Sequence, residues 1–467
     1  MQVTHRNAGA PGLGDPYFPK LGNGGYDAQH YTVDLAVDVA DNQLRGSSTM
    51  EALATQPLDT FNLDFQGFAV SEVSVNGRPA EFVRDGRELT VKPERPLAAG
   101  ERFEVEVDYA GRPVPYRSPY APIPLGWRNF NDGSYVLSEP DGAAAWYPVN
   151  DHPGDKATYT FRLTVPKPYT AAANGQLVER VKGTDPVKGI ETTTFVYEAR
   201  DPIASYLTTV GVGEFSMETG TGPNGLPIRH FFPVDLAGEA SHDFGRTAEM
   251  IRFFSEKFGP YPFEAYGGLV VDARLGGVAL ETQTLSLFER GMITGDRAYE
   301  TVLVHELAHQ WFGNSVSLKN WKDIWLNEGF ATYAQWLWDE KEEGSEVIER
   351  HARWAHRMLE GSGGPPIDDP GPTGLFTHQV YLRGALTLHA LRRTVGDEAF
   401  FDTVRTYTAR FKHGNASSQD FIQVAQEVSG RDLSDFFRRW ISESELPDLP
   451  ATRSPGSTTR PVPTEGR

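Results

Sequence analysis

Two histidines four residues apart, His305 and His309, separated by eighteen residues from Glu328, constrain this chain more than any other feature. On a helix, residues four apart share one face and stand roughly 6 Å apart along the axis. Both imidazoles then reach a single ion at about 2.0–2.1 Å each. The preceding stretch from Ala298 is compatible with a helix, and the pattern runs through Trp311 and Phe312 before Gly313 and Asn314 stop it. A second helical pattern starts around Asn327 and continues through Phe330, Tyr333, Ala334 and Leu337, with Glu328 in its first turn. The residues between allow a loop and a return to the same cleft. Two His and one Glu leave a fourth position open for water, the arrangement of a catalytic zinc site and not of a structural one. Glu306, beside the first histidine, flanks the ion where a general base belongs. Cobalt and manganese suit the same donors.

At 467 residues the chain is long for a single core, so two or three domains are expected. Residues 27–213 alternate apolar and polar, as in Tyr31 to Asp38, Phe103 to Tyr109 and Tyr159 to Val165. Asn76-Gly77, Asp85-Gly86 and Asn174-Gly175 punctuate them as turns. The last strand is expected at Tyr206 to Val212, and a hairpin over Thr219 to Pro227 at the junction. Beyond residue 238 the period becomes helical. One helix is expected from Ala240 to Phe258, then a strand at Gly268 to Asp272, the zinc helices, and further helices near 345–360, 377–395, 397–412, 418–428 and 431–442. Ser417 or Ser418 ahead of Asp420 is a capping signal, and Gly396 a helix stop. The predicted division is a β domain over 1–215, a catalytic domain over 216–446 and a disordered Pro/Ser/Thr-rich tail over 447–467.

The net charge of −19, from 63 acids and 44 bases, argues against nucleic acid or an anionic membrane as partner. No apolar run is long enough to span a bilayer. The Gly/Pro-rich N-terminus lacks the apolar region of a secretory signal and reads as an arm laid over a surface. A native start at Met1 would place the chain in the cytoplasm; a leader removed ahead of it would make it secreted. The absence of cysteine excludes disulfides and thiol catalysis.

The segment from His305 to Tyr333, with its Trp-Leu-Asn-Glu-Gly-Phe-Ala phrase at Trp325 to Ala331, resembles the gluzincin zinc aminopeptidases, the family of aminopeptidase N and the leukotriene epoxide hydrolase. Three further segments fit it. Gly277 to Thr282 resembles a G-x-M-E-N exopeptidase motif whose Glu holds the substrate's α-ammonium, which implies that role for Glu281. Leu280 and Thr282 replace the usual Met and Asn, and the Gly is displaced by one residue. The motif places Gly277 and Ala279 among the substrate-binding residues. Tyr381-Leu-Arg-Gly384-Ala385 resembles the Y-x-K-G-A phrase whose Tyr stabilises an oxyanion. Tyr135 to Gly175 resembles the N-terminal domain phrase, with its Asp151-His152-Pro153, Lys156-Ala157 and Ala173-Asn174-Gly175 signatures. There Glu139 is the nearest match to an acid or amide that reaches the active site, with Asp141 a rival, and His152 reads as structural.

The resemblance implies an all-β, saddle-like N-terminal domain followed by a thermolysin-like, mostly helical α/β catalytic domain, in a short form without the family's C-terminal domains and so with a more open cleft. It further implies one zinc ion on His305, His309 and Glu328, with Glu306 as the general base and Tyr381 on the oxyanion. The expected activity is removal of N-terminal residues from peptides with a free amino end by a zinc-activated water. A thermolysin-type endopeptidase, an epoxide hydrolase and a non-catalytic peptide-binding module remain alternatives. The sequence is silent on oligomeric state.

Overall fold

The computed structural model describes residues 7–130, 132–361 and 363–450. Among them, the N-terminal part is built from β-sheets. Its main sheet has eight strands. Tyr26–Asp38 lies at its centre, antiparallel to Gln43–Ala54 and parallel to Ala157–Pro166. The expected alternation holds: Tyr31, Val33, Leu35 and Val37 are buried, as are Phe103, Val105, Val107 and Tyr109 on Arg102–Gly111. A one-residue slip would expose the whole apolar set, so this alternation fixes the register. Asn76 and Gly77 both adopt positive φ, 53° and 70°. That is what a tight two-residue hairpin between Ala69–Val75 and Arg78–Pro79 requires.

Asn174-Gly175 works differently. It is a corner at which the chain leaves a four-stranded sheet after Thr170–Ala173 and enters the main sheet at Gln176–Thr184. Gly175 has φ 79°, and a Cβ there would sit 2.1 Å from the Glu198 carbonyl oxygen. Only glycine fits this approach. The expected strand at Tyr206 to Val212 is shorter: Ser205–Leu207 forms a 3₁₀ turn and the strand is Val210–Gly213.

The hairpin expected over Thr219 to Pro227 joins Phe215–Thr221 to Pro227–Pro233. Gly268–Val271 and Ser286–Glu289 extend this sheet in parallel. The single helix expected over Ala240 to Phe258 is two, α1 (Ala237–Phe244) and α2 (Thr247–Phe258). The chain turns at Gly245-Arg246, where Asp243 accepts hydrogen bonds from the backbone of Thr294, Gly295 and Arg297. Helix α3 (Glu300–Ala308) carries the first metal-ligand signal; its regular hydrogen bonding closes at Ala308 and the chain continues in turns through Phe312. Helix α4 (Trp325–Glu343) starts two residues earlier than expected, because Ile324 is already helical. Then follow α5 (Ser345–Leu359), α6 (Gly384–Val395), α7 (Asp397–Arg410), α8 (Ser418–Ser429) and α9 (Ser434–Phe437). Ser417 and Asp420 form the reciprocal cap of α8, and Gly396 ends α6 with φ 91°.

The N-terminal arm crosses from the β part to the helical part. The buried Asp15 carboxylate accepts hydrogen bonds from Trp321 N at 2.9 Å and from His152 Nε2 at 3.3 Å. His152 is therefore structural, as expected. No helix among the described residues is long and apolar enough to cross a membrane. The expected tail lies outside the described residues from 451 onward.

Candidate active site

Helices α3 and α4 pack together and bring the three donors to one point. His305 Nε2 and His309 Nε2 lie 3.2 and 3.5 Å from the same oxygen of Glu328. The ligand atoms of all three residues fall within 4.8 Å of one another. Each imidazole is oriented from behind: His305 Nδ1 is 3.1 Å from Gln335 Oε1, and His309 Nδ1 is 3.0 Å from the Phe312 carbonyl oxygen. Both Nδ1 atoms thus carry a proton, and both Nε2 atoms face the common point. Gln335 escaped the sequence reading, although it sits seven residues, about two turns, beyond Glu328 on the same helix face.

A second crossing supplies Tyr381. A Cβ on Gly384 would stand 2.7 Å from Gly329 Cα, and one on Gly329 would stand 2.8 Å from Gly384 Cα. The two glycines of the Asn-Glu-Gly-Phe and Leu-Arg-Gly-Ala phrases therefore let α4 and α6 touch backbone to backbone. The turn leading into this contact, Gln379–Arg383, is a π-helical bulge, a local widening common at functional sites. It stacks the Tyr381 ring on His305, with centroids 5.9 Å apart and planes 10° from parallel. The guanidinium of Arg383 turns away from the site and donates to carbonyls of the C-terminal segment, among them Trp440 and Ser444.

These groups open on a cavity of about 240 Å³. Glu139, Ala279, Glu281, His305, Glu306, His309, Glu328 and Tyr381 line it, with an apolar wall that includes Ile123, Leu125, Leu137 and Phe376. Gly277 is not among the lining residues; it stands on an exposed turn with φ 83°. Asp141 is also placed elsewhere: it pairs with Arg87 at 3.3 Å and accepts the Tyr116 hydroxyl at 2.9 Å. Of the two rival acids, Glu139 is the one at the cavity. One carboxylate oxygen of Glu139 and one of Glu281 are buried without a hydrogen-bond partner among the described residues. The backbone carbonyl of Glu281 accepts from Gln310 Nε2 at 3.0 Å and Asn314 Nδ2 at 2.7 Å, two contacts the sequence reading also missed.

Four carboxylates around one small cavity create a strong demand for positive charge. Burial, with the charges of Glu281 and Glu328, pushes the Glu306 carboxyl well above its ordinary range, against the pull of His309. Burial likewise raises Glu281, and burial plus the neighbouring glutamates raises Glu139. Burial alone would lower His309, but Glu281 and Glu328 overrule it and hold the imidazole protonated up to about 10. Glu328 moves the other way, to about 2, because His309 and the hydrogen bonds from both imidazoles outweigh its burial. A divalent cation meets the same demand from one position. Two imidazoles, each oriented from behind, and a carboxylate are a donor set that fits zinc.

Comparison with known proteins identifies the family. The family model of the M1 peptidase N-terminal domain matches residues 27–207, and that of the peptidase family M1 domain matches residues 242–440. The crystal structure of an M1 zinc metallopeptidase from Deinococcus radiodurans is similar at a TM-score of 0.84 and 34% identity, covering 95% of this chain and 100% of that one. A variant of that protein, bound to a Tyr-Ser-Ala substrate, gives a TM-score of 0.85. Aminopeptidase N of Streptomyces lividans is 30% identical over 67% of this chain and 38% of its own length. Aminopeptidase B of Rattus norvegicus is 26% identical over 89% of this chain and 68% of its own. The chain thus spans well under half of the first relative and about two thirds of the second. With both domain models matched and a solved relative covered from end to end, the chain belongs to the M1 family of zinc metallopeptidases.

Proposed function

We propose that this chain is an aminopeptidase, and that the catalytic unit over residues 216–446 works with the β unit over 1–215 to release the first residue of a peptide. The observation that carries this reading is the pair of unpartnered buried oxygens on Glu281 and Glu139 in the cavity that holds the metal-ligand cluster. A buried acceptor left alone costs free energy, about 1–3 kcal/mol, until a donor arrives. A peptide's α-ammonium brings three donors and the charge that suits both carboxylates. An acetylated amine, or a chain continuing past the site, brings no such charge.

In this reading His305, His309 and Glu328 hold one zinc ion. A zinc ion held there would supply Lewis acidity, for a carbonyl oxygen and for a water that has to lose a proton near neutral pH. Glu281, aided by Glu139, holds the ammonium and so places the first peptide bond at the reaction centre. Glu306 accepts the proton of the attacking water and delivers it to the departing amine. Its raised proton affinity suits this task, since a base that holds its proton too weakly cannot return it. Tyr381 donates its phenolic hydrogen to the oxygen on which negative charge develops, an interaction strongest in the transition state. The apolar wall of Ile123, Leu125 and Phe376 accommodates a hydrophobic first side chain.

A panel of aminoacyl amide fluorophores tests the proposal. The chain should hydrolyse members with a free amine, stop on addition of a chelator and recover with one equivalent of zinc per chain. Zinc binding at that stoichiometry with no turnover across the panel would contradict it.

A further inference from the structure

Two phrases of the N-terminal unit, Lys156-Ala157 and Ala173-Asn174-Gly175, take no part in the chemistry above, yet the second bonds to the segment that carries Glu281 and the first to Asn314, which holds that segment. Residues 281–284 run between the α3 side of the catalytic unit and the β unit, and both sides hold them. Toward α3, Gln310 bridges the segment: its Nε2 donates to the Glu281 carbonyl at 3.0 Å and its Oε1 accepts Thr284 N at 2.9 Å. Asn314 Nδ2 adds a 2.7 Å bond to the same Glu281 carbonyl. Lys156 reaches across from the β unit to the Asn314 and Ser315 carbonyls, at 2.8 and 3.1 Å.

Toward the β unit, Gln283 N donates to the Leu207 carbonyl at 3.1 Å. Asn174 Nδ2 donates to the carbonyls of both Gln283 and Leu207, at 2.7 and 2.9 Å, and its Oδ1 accepts Thr209 N at 2.7 Å. Gly175 N donates to Thr284 Oγ1 at 2.8 Å. Asn174, Gln310 and Asn314 are fully buried. Thr284 is held at φ 65°, a conformation that β-branched residues avoid and that persists only where surrounding bonds impose it.

We propose that Asn174 and Thr284, together with Gln310 and Asn314, are positioning residues for the ammonium anchor. They fix the backbone of Glu281 relative to the metal ligands, so that the β unit sets how far the substrate's first amine stands from the reaction centre. The inference rests on reading Glu281 as that anchor. The physical reason lies in the anchor itself. One Glu281 oxygen has no protein partner, so its side chain contributes little to its own placement, and the backbone clamp has to supply it.

Two inhibitors test this on the zinc-loaded enzyme. Leucine hydroxamate carries an ammonium; 4-methylpentanehydroxamic acid is the same molecule without it, and both bind zinc through the hydroxamate. Asn174→Ala should weaken the amine-bearing inhibitor about tenfold or more, the scale of a lost charged hydrogen bond, and leave the amine-free one within about twofold. Because Asn174→Ala removes three buried bonds and can fail to fold, Thr284→Val is measured alongside. It keeps the side chain's shape, deletes only the acceptor for Gly175 N, and should move the ratio in the same direction, with Thr284→Ser restoring it. Parallel weakening of both inhibitors, or an unchanged ratio in the folded variants, overturns the proposal. Glu281→Gln separates the two layers. It should equalise the inhibitors; a retained wild-type preference for the amine would instead remove the anchor reading on which the clamp rests.

Discussion

Gly384→Ala probes the helix crossing that delivers Tyr381. The added methyl would lie 2.7 Å from Gly329 Cα and 3.4 Å from Gly329 N, both main-chain atoms that cannot rotate aside. Carbon atoms settle at about 3.5–4.0 Å, so the crossing must open by roughly 0.8 Å. Alanine gains about 1 kcal/mol over glycine in helix propensity, while overpacking costs about 1–3 kcal/mol. A clash with backbone belongs in the upper part of that range, so the net loss should be about 1–2 kcal/mol, a fall in Tm of about 2–8 °C. The catalytic effect should be larger. Tyr381 stands three residues before the contact, on the bulge that leads into it. A misplacement near 1 Å lowers the rate on the order of 100-fold. Calorimetry, zinc content and steady-state kinetics on one preparation should give a modest Tm drop, full zinc, and kcat reduced by about 10- to 100-fold with a smaller change in KM. An unchanged Tm together with kcat within twofold of the parent would refute the reasoning, because it would mean the helices part freely without moving the phenol.

Three further outcomes are expected. Glu306→Gln should keep one zinc per chain and lower kcat by roughly 10²- to 10⁴-fold; turnover near that of the parent removes Glu306 from its role. Gln335→Leu removes the acceptor behind His305 Nδ1 and should weaken zinc binding by about 10- to 100-fold in a chelator competition; unaltered affinity would show that the imidazole needs no such support. The third concerns pH. In chelator-treated protein, His309, Glu139, Glu281 and Glu306 all hold protons more tightly folded than unfolded. The folded state then binds more protons, so the stability they contribute declines as pH rises, with the His309 part present below its unfolded value of 6.5 and lost toward about 10. Glu328 acts at the opposite end, losing its contribution as pH falls toward about 2. Lys156, whose buried amine is pushed down to about 7, acts with the opposite sign over the same range. The chelator-treated protein is therefore compared with its His309→Gln variant: the excess urea midpoint of the parent should shrink from pH 6.5 to 10, and an excess that grows over this range contradicts the charge balance.

Much of the site is legible in the sequence because its parts are local. His305 and His309 share a helix face through spacing alone, and Glu328 and Tyr381 each sit in a phrase that marks a place on a helix. What stayed hidden depends on partners far along the chain. Glu139 and Asp141 are acids of one loop, and sequence could name Glu139 the nearer match but not dismiss Asp141, because what holds Asp141 elsewhere is its ion pair with Arg87 and the hydrogen bond from Tyr116. Gly277 was expected in the site by its motif, but the turn it forms is exposed. The break at Gly245 was invisible because the apolar period continues through it; the device that stabilises the turn is Asp243, reaching a loop some 50 residues later. The close contact of Gly329 with Gly384 likewise needs both helices in place before either glycine has a meaning.

The central claim is that cleavage is counted from a free amino end, and one measurement addresses it most directly. A ten-residue peptide and its N-acetylated twin are incubated with the zinc-loaded chain, and products are followed by mass spectrometry over time. The account predicts a ladder of single-residue losses from the N-terminus of the free peptide, with the acetylated peptide intact over the same period. Internal cleavage of both peptides at similar rates would contradict it, and would leave Glu281 and Glu139 without the role given to them here.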